Sequence, residues 1–301
     1  MAEVKKSEFI WMNGNFVRWG DAKVHVMTHA LHYGSAVFEG IHSYKTDEGT
    51  AIFRLDEHIE RFFYSAEAMS MKINFTKTQL KDVIKKLLKL NKLNDAYIRP
   101  LAYYGYGNVG VFPKEIGNDL LIVSVPEYSY YTRSLRIATS GFVKPVEKST
   151  VFGTKISGNY VNSILAMFEA RKKGFDEALM LDYDGFVAEG PVQNILLVKN
   201  GSLIAPISRG ALLGITRDTI MKIGKEIGLK VYEKKVRLAE VKKADELFFT
   251  GTATEIGPIA SVDDTKIGKG ECGEITAKIK AKYLDVVRGK EKKFRKWLDY
   301  I

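Results

Sequence analysis

Lys155 stands in "FGTKISGNYVNS", residues 152–163, among small and hydroxyl-bearing neighbours and with no charge on either side. Most lysines of this chain lie in runs such as "KKLLKL", where they solvate a helix face. Lys155 is either an ordinary loop lysine or an amine held for covalent chemistry with a carbonyl. Two other stretches suit an anion. "LLGITRDTI" sets Gly214, Ile215 and Thr216 at the entry to a helix. The first backbone N–H groups of a helix, with a hydroxyl beside them, can receive a phosphate; the plain alternative is that Thr216 caps the helix. "FTGTATE" ends a strand in small and hydroxyl residues, leaving Thr250, Thr252 and the nearby backbone to an anion or to a simple turn.

Charged residues in apolar surroundings give further clues. Arg99 lies inside "AYIRPL", otherwise an apolar strand, and a buried ion requires a partner. That partner is either a structural acid or a substrate carboxylate. Arg61 sits on a helix that packs by Ile59 and Phe62, so its guanidinium lies along a partly buried seam. Glu189 follows the strand residues Phe186, Val187 and Ala188; it faces either solvent or a cationic ring nitrogen. The histidines (His25, His29, His32, His42 and His58) all fall in the first 58 residues, but their spacing fits no zinc pattern, and no metal site is expected. Tyr33, Phe38, Tyr128, Tyr130, Tyr131 and Tyr160 serve a core, an interface or a pocket wall.

The elements that must carry these residues follow from pattern. Apolar residues flank Asn13-Gly14, Asp184-Gly185 and Asn200-Gly201, each a hairpin signal. A helix from about Asp56 buries Ile59, Phe62, Phe63, Ala66 and Met69. "TKTQLKDVIKKLLKLN" is the clearest helix, with capping-box spacing at Thr76 and Gln79 and an apolar face of Leu80, Val83, Ile84, Leu87 and Leu88. A helix over 159–173 is expected to turn Val161, Ile164, Leu165 and Phe168 inward and to stop at Gly174. Hairpins mixed with helices, without regular strand–helix alternation, predict an α+β (α/β mixed) fold with mixed sheets. The polar, aromatic stretch near residues 126–134 marks a junction: an N-terminal domain over 1–126, a linker over 127–134, and a C-terminal domain over 135–301 that carries Lys155.

At 301 residues, 46% hydrophobic and 27% charged, the chain is an ordinary two-domain globular length. The net charge of +10 is spread along the chain among 36 acids, and only "RGKEKKFRKW" is locally dense. This speaks for solvated charge, not a nucleic-acid face. One cysteine excludes an intrachain disulfide framework and a cysteine-based zinc site. Without an apolar leader or a membrane-length run, a cytoplasmic protein with no membrane partner is expected. No Walker A motif is present.

The string "WMNGNFVRWGDAKVHVMTHALHYGSAVFEGI" at 11–41 closely resembles the N-terminal signature of the branched-chain amino acid aminotransferases, fold-type IV pyridoxal phosphate enzymes. The resemblance continues in order through "FRLDEHIERF", "AYIRPL", "KISGNYVNS", "EARKKGFDEALMLD", "VAEG", "LLGITRD", "ADELFFTGTATEI" and "GPIASVD". It implies that Lys155 is the Schiff-base lysine, the catalytic residue that moves a proton between substrate Cα and the cofactor. It further implies Tyr160 on the phenolic oxygen and Glu189 on the pyridine nitrogen. Arg61, Gly214, Ile215, Thr216 and Thr252 then hold the phosphate. Backbone amides of Thr252 and Ala253, with the Tyr97 hydroxyl, take the α-carboxylate. Phe38, Tyr33, Tyr160 and Tyr130 wall an apolar pocket, and Arg99 receives the second carboxylate of glutamate.

The implied activity is ping-pong transamination of leucine, isoleucine and valine with 2-oxoglutarate, through pyridoxamine phosphate. A homodimer or higher homo-oligomer, a hexamer included, is implied as well, because the family completes each site with a partner's loop, here "GYGNVGV" at 105–111. Three departures bear on the donor range. His42 stands where arginine often follows "FEGI", "EGPVQN" replaces "EGSGEN", and Glu127 stands where tryptophan is common. A pH-sensitive histidine donor at 42 would alter binding of dicarboxylates. Enzymes for D-amino acids or (R)-amines and an aminodeoxychorismate lyase share the fold. A non-catalytic basic binding protein is the reading from a different class.

Overall fold

A computed structural model describes residues 5–126 and 133–301. They form two compact units, one of residues 1–128, 154–158 and 286–301, the other of 129–153 and 159–285. Two short segments therefore join the first unit, including the one that carries Lys155, which the sequence reading had put in a C-terminal domain. The cause is pairing across long sequence separations. Ile156 bridges to Val37, and the strand Leu298–Tyr300 pairs with residues 51–53. No local pattern announces such contacts.

The first unit is built on an eight-stranded sheet. Its strands are β1 (Phe9–Met12), β2 (Asn15–Arg18), β3 (Ala36–Phe38), β4 (Ile41–Thr46), β5 (Gly49–Phe53), β6 (Ala96–Tyr104), β7 (Asn118–Pro126) and the C-terminal strand. In space the order runs C-terminal strand, β5, β4, β6, β7, β1, β2, with β3 also on β6. Every pairing in it is antiparallel. Asn13 and Gly14 both take positive φ, the twist a two-residue hairpin requires, so Met12 pairs with Asn15.

Helix α1 (His29–Tyr33) is short; α2 (Leu55–Ala68) and α3 (Lys77–Leu90) cover the sheet. Ile59, Phe62 and Ala66 of α2 and Leu80, Ile84, Leu87 and Leu88 of α3 join Ile41, Ile98 and Ile122 of the strands in one core. At the start of α3 the Thr76 hydroxyl accepts from Gln79 N and the Gln79 side chain accepts from Thr76 N, closing the capping box.

The second unit holds a nine-stranded sheet of β8 (Leu135–Thr139), β9 (Glu177–Leu181), β10 (Val187–Glu189), β11 (Asn194–Lys199), β12 (Ser202–Pro206), β13 (Lys230–Lys234), β14 (Glu246–Gly251), β15 (Glu255–Val262) and β16 (Thr265–Lys266). Three of its pairings are parallel, β8 with β9, β8 with β15, and β12 with β13. Mixed pairing is thus confined to this sheet. Helices α4 (Tyr160–Lys172), α5 (Ile215–Glu226), α6 (Leu238–Val241) and α7 (Glu274–Val287) complete the set. Among the described residues no helix is long and apolar enough to cross a membrane.

Helix α4 reverses one expectation. Its buried face is Ser163, Ala166 and Ala170, while Val161, Ile164, Leu165 and Phe168 are exposed, Phe168 at 68%. Small residues let the helix lie close on Ala138, Ala178 and Met180 of the strands beneath it. Periodicity marks the bulkier stripe, but the stripe of small residues is the one that turns inward.

The core and cap of α3 yield a graded expectation for chemical denaturation. Leu87→Ala, at a fully buried position, should destabilise by about 2–5 kcal/mol. Thr76→Ala should cost about 1 kcal/mol, because only the cap is lost.

Candidate active site

Lys155 is aimed by its backbone. Phe38 N donates to Lys155 O at 3.1 Å, and Lys155 N donates to the Ser65 hydroxyl of α2 at 3.0 Å. Ile156, bridged to Val37, enters the core beside β3. With both backbone groups fixed and the next side chain directed inward, the lysine side chain must leave on the other side. Its Nζ lies 4.8 Å from the centre of the Phe38 ring. Just beyond, Gly158 N donates to Gly34 O at 3.1 Å. A Cβ on Gly34, which has φ +64°, would stand 3.0 Å from Gly158 Cα, so this approach needs glycine.

The Phe38 ring is shared. The Arg99 guanidinium lies 4.7 Å from its centre and 5.1 Å from that of Tyr97, and Arg99 Nη2 donates to the Tyr97 hydroxyl at 2.6 Å. Gly40 makes room for that hydroxyl, since a Cβ there would come within 2.3 Å of it.

Close by is an acid that sequence reasoning missed. Glu39 is fully buried and accepts from Arg61 Nε at 2.5 Å, Arg61 Nη2 at 2.9 Å and His58 Nδ1 at 2.8 Å. Burial by itself would raise its carboxyl, but the Arg61 guanidinium and the His58 ring overturn this and hold it far below the usual carboxylate range. Burial keeps His58 itself below its ordinary value, against the pull of Glu39. Glu39 in "VFEGI", like Arg99 in "AYIRPL", is a lone charge in an apolar stretch.

These charges set the state of the amine. Burial pushes Lys155 down to about 8; Glu39 and Tyr97 pull it up, and Arg61 and Arg99 push it further down. A neutral nucleophilic amine is therefore available near neutrality, which no solvated lysine offers.

The second unit presents the other residues. Glu189, at the end of β10, is buried; Oε1 lies 2.8 Å from Lys144 Nζ, and Oε2 accepts from Asn194 Nδ2 at 2.9 Å and Leu212 N at 3.2 Å. The solvent-facing alternative for this acid is thereby excluded. Helix α5 begins at Ile215 with Gly214 as its N-cap and no side-chain cap, so Thr216 is buried within the first turn and does not cap it. The N–H groups of Ile215 and Thr216 lie at the positive end of the helix. Gly214 cannot carry a side chain, because a Cβ would reach within 2.0 Å of Asn194 Oδ1.

Thr252 and Ala253 lie in the turn between β14 and β15, where Gly251 pairs with Glu255. Thr250 is withdrawn from any anion, since its hydroxyl is buried and donates to Glu255 O at 2.8 Å. Tyr160 opens α4.

Other expected residues fall elsewhere. The Tyr33 hydroxyl donates to Val109 O at 2.7 Å and His29 Nε2 lies 3.0 Å from Gly110 O, so α1 is tied to the 105–111 loop. Tyr130 lies outside the described residues, as do Glu127, Tyr128 and Tyr131. His42 is corrected. Burial, helped by Arg288 and opposed by Asp95, pushes it down to about 4, so it stays neutral across the physiological range and is no pH-sensitive donor there. In "EGPVQN", Gly190 N donates to Gln193 O at 2.7 Å, and the Gln193 side chain is buried while Val192 is exposed. Among the described residues no three His, Cys, Asp or Glu side chains converge to hold a metal ion.

A sequence profile of the family described as amino-transferase class IV matches residues 36–262. The chain is 39% identical to a branched-chain-amino-acid aminotransferase of Pseudomonas aeruginosa over 302 residues, covering 99% of this chain and 98% of that one. Two crystal structures of a T.th. branched-chain amino acid aminotransferase are 40% identical and cover 98% of this chain and 99% of theirs. One, complexed with N-(5'-phosphopyridoxyl)-L-glutamate, superposes with a TM-score of 0.95. The other, complexed with 4-methylvaleric acid, superposes with a TM-score of 0.94.

The charge balance at Lys155 has a direct readout. In cofactor-free protein, reductive alkylation followed by peptide mass spectrometry should give Lys155 a reactivity midpoint at pH about 8. Because a lowered pKa puts the neutral form above that midpoint, the rate should fall about tenfold per pH unit below it. A midpoint at the solvated-lysine value would contradict the assignment.

Proposed function

Because the chain belongs to the class IV aminotransferases, we propose that it exchanges amino groups between branched-chain L-amino acids and 2-oxoglutarate, with pyridoxal 5'-phosphate as cofactor. The products are branched-chain 2-oxo acids and L-glutamate. The observation that carries this reading is Lys155, whose amine is pushed down to about 8 against Phe38, with Arg99 on the same ring. When bound, the cofactor supplies an aldehyde that condenses with amines and a ring that takes up the electrons released at the substrate Cα.

The chain's own residues supply the rest. Lys155 Nζ would hold the cofactor aldehyde and, when free, take the proton from the substrate Cα. Glu189 accepts from the ring N–H and keeps that nitrogen protonated. Tyr160 bonds the phenolic oxygen. Arg61, Gly214, the amides of Ile215 and Thr216, and the hydroxyls of Thr216 and Thr252 receive the phosphate. The amides of Thr252 and Ala253, with the Tyr97 hydroxyl, take the α-carboxylate.

Substrate choice rests on Phe38 and Arg99. An apolar ring suits a branched side chain, and the guanidinium beside it suits the second carboxylate of glutamate. The ligands named for the T.th. enzyme are one of each kind, a branched apolar acid and a glutamate derivative. Tyr33 is proposed for the same wall, as is Tyr130, which lies outside the described residues.

A homo-oligomer, a dimer at least, is part of the reading. Val161, Ile164, Leu165 and Phe168 offer an apolar helix face that a second copy would cover. The loop at 105–111, held by His29 and Tyr33, is the segment such a copy would lend. A single free cysteine, Cys272, agrees with the reducing cytoplasm.

Half-reactions with leucine, isoleucine, valine, glutamate, D-alanine and an (R)-amine, followed by the cofactor spectrum, test the donor range; preference for the D-amino acid or the amine would refute it. Borohydride should fix the cofactor on Lys155. Arg99→Ala should lower kcat/KM for glutamate by about 100-fold and for leucine by less than about tenfold. Combining Ile164→Asp with Phe168→Asp should reduce the mass measured by light scattering to that of one chain.

A further inference from the structure

Three donors hold Glu189, and one of them, Lys144, carries a charge. Lys144 lies between β8 and the Lys155 segment, and its side chain is 9% exposed against 6% for that of Glu189. It is fixed at its base. Lys144 N donates to Leu181 O at 2.9 Å, and Gly210 packs against its stem so tightly that a Cβ there would stand 2.9 Å from Lys144 Cβ. The ammonium reaches Glu189 Oε1 at 2.8 Å.

From this geometry we infer that Lys144 is a positioning residue, holding Glu189 as an oriented carboxylate for a protonated ring nitrogen. The inference rests on the assignment of Glu189 to that nitrogen. Asn194 and Leu212 are neutral donors, and both bind Oε2. Neutral donors alone leave the charge of a buried carboxylate uncompensated. An ammonium on Oε1 compensates that charge through a charge-assisted bond. It also fixes rotation about the carboxyl group, because each oxygen now has its own donor. The second lone pair of Oε1 remains for a ring N–H.

Lys144 also lines an open cleft of about 520 Å³, together with Asp182, Ser208, Gly210 and Lys235. A shortened side chain at 144 therefore leaves a space that a small amine can reach from solvent. A residue that matters only for packing would not be replaced in function by such an amine.

The holoenzyme decides the matter through the nitrogen-15 shift of ring-labelled cofactor, read beside leucine half-reaction kinetics. Lys144→Gln keeps a polar side chain and removes the charge. It should move the ring signal to the unprotonated position and lower kcat about 100-fold, with KM changed less than about threefold. Lys144→Arg should keep the protonated signal. Lys144→Ala should recover with ethylammonium and not with sodium chloride of equal ionic strength. An unchanged ring signal in Lys144→Gln would overturn the inference, as would failure of ethylammonium to act in a folded Lys144→Ala enzyme. Glu189→Gln separates the two layers. If it too leaves the ring signal unchanged, the assignment of Glu189 is wrong; if it alone moves the signal, only Lys144 loses its role.

Discussion

A lysine that attacks a carbonyl must keep its lone pair, and inside a protein only desolvation and neighbouring charge can arrange that. Here the two act together. Burial brings the Lys155 amine down, while the acid Glu39 stops the fall and two guanidiniums press it on. The acid can serve only because Arg61 and His58 hold it charged in the core. The surrounding scaffold keeps this set in register. β3 pins the lysine carbonyl, α2 supplies Ser65 to its N–H and both Arg61 and His58 to Glu39, and β6 supplies Tyr97 and Arg99.

Much of this scaffold was legible in the sequence, for physical reasons that differ between elements. Asn13-Gly14 and Asn200-Gly201 specify their turns because few residues tolerate positive φ twice in succession. Helix α3 declared itself through its cap and a single apolar stripe, since its opposite face is lysine-rich and leaves one solution. The α5 start, Glu189 and Lys155 stood out as residue types whose chemistry did not suit their neighbours, and each has local surroundings that suit its chemistry. What gathers them into a proposed set is the motif resemblance, because spacing alone relates none of residues 61, 155, 189 and 216 to the others.

The remainder was hidden for equally definite reasons. Glu39 follows directly on a short strand, between Phe38 and Gly40, and its partners come from a helix about twenty residues later, a distance no pattern encodes. The ion-pair reading weighed for Arg99 is realised at Arg61, which the sequence offered mainly to an anion. Asn194 and Lys144 were invisible because an amide and a lysine are ordinary surface residues until a buried acid is placed beside them. Helix α4 misled because its packing face is made of the small residues that hydrophobic scales rank low.

The strand Leu298–Tyr300 closes one edge of the sheet that begins near residue 9, and Ile301 N reaches Thr50 O at 3.1 Å. The unit made first by the ribosome is therefore completed last, after nearly three hundred residues have emerged. The intervening unit, which spans 129–285 apart from five residues loaned to the first, can assemble while its predecessor waits with an unfilled edge. Translation order and order of completion run in opposite directions in this chain. Until the tail arrives, that edge of β5 is a bare backbone ladder.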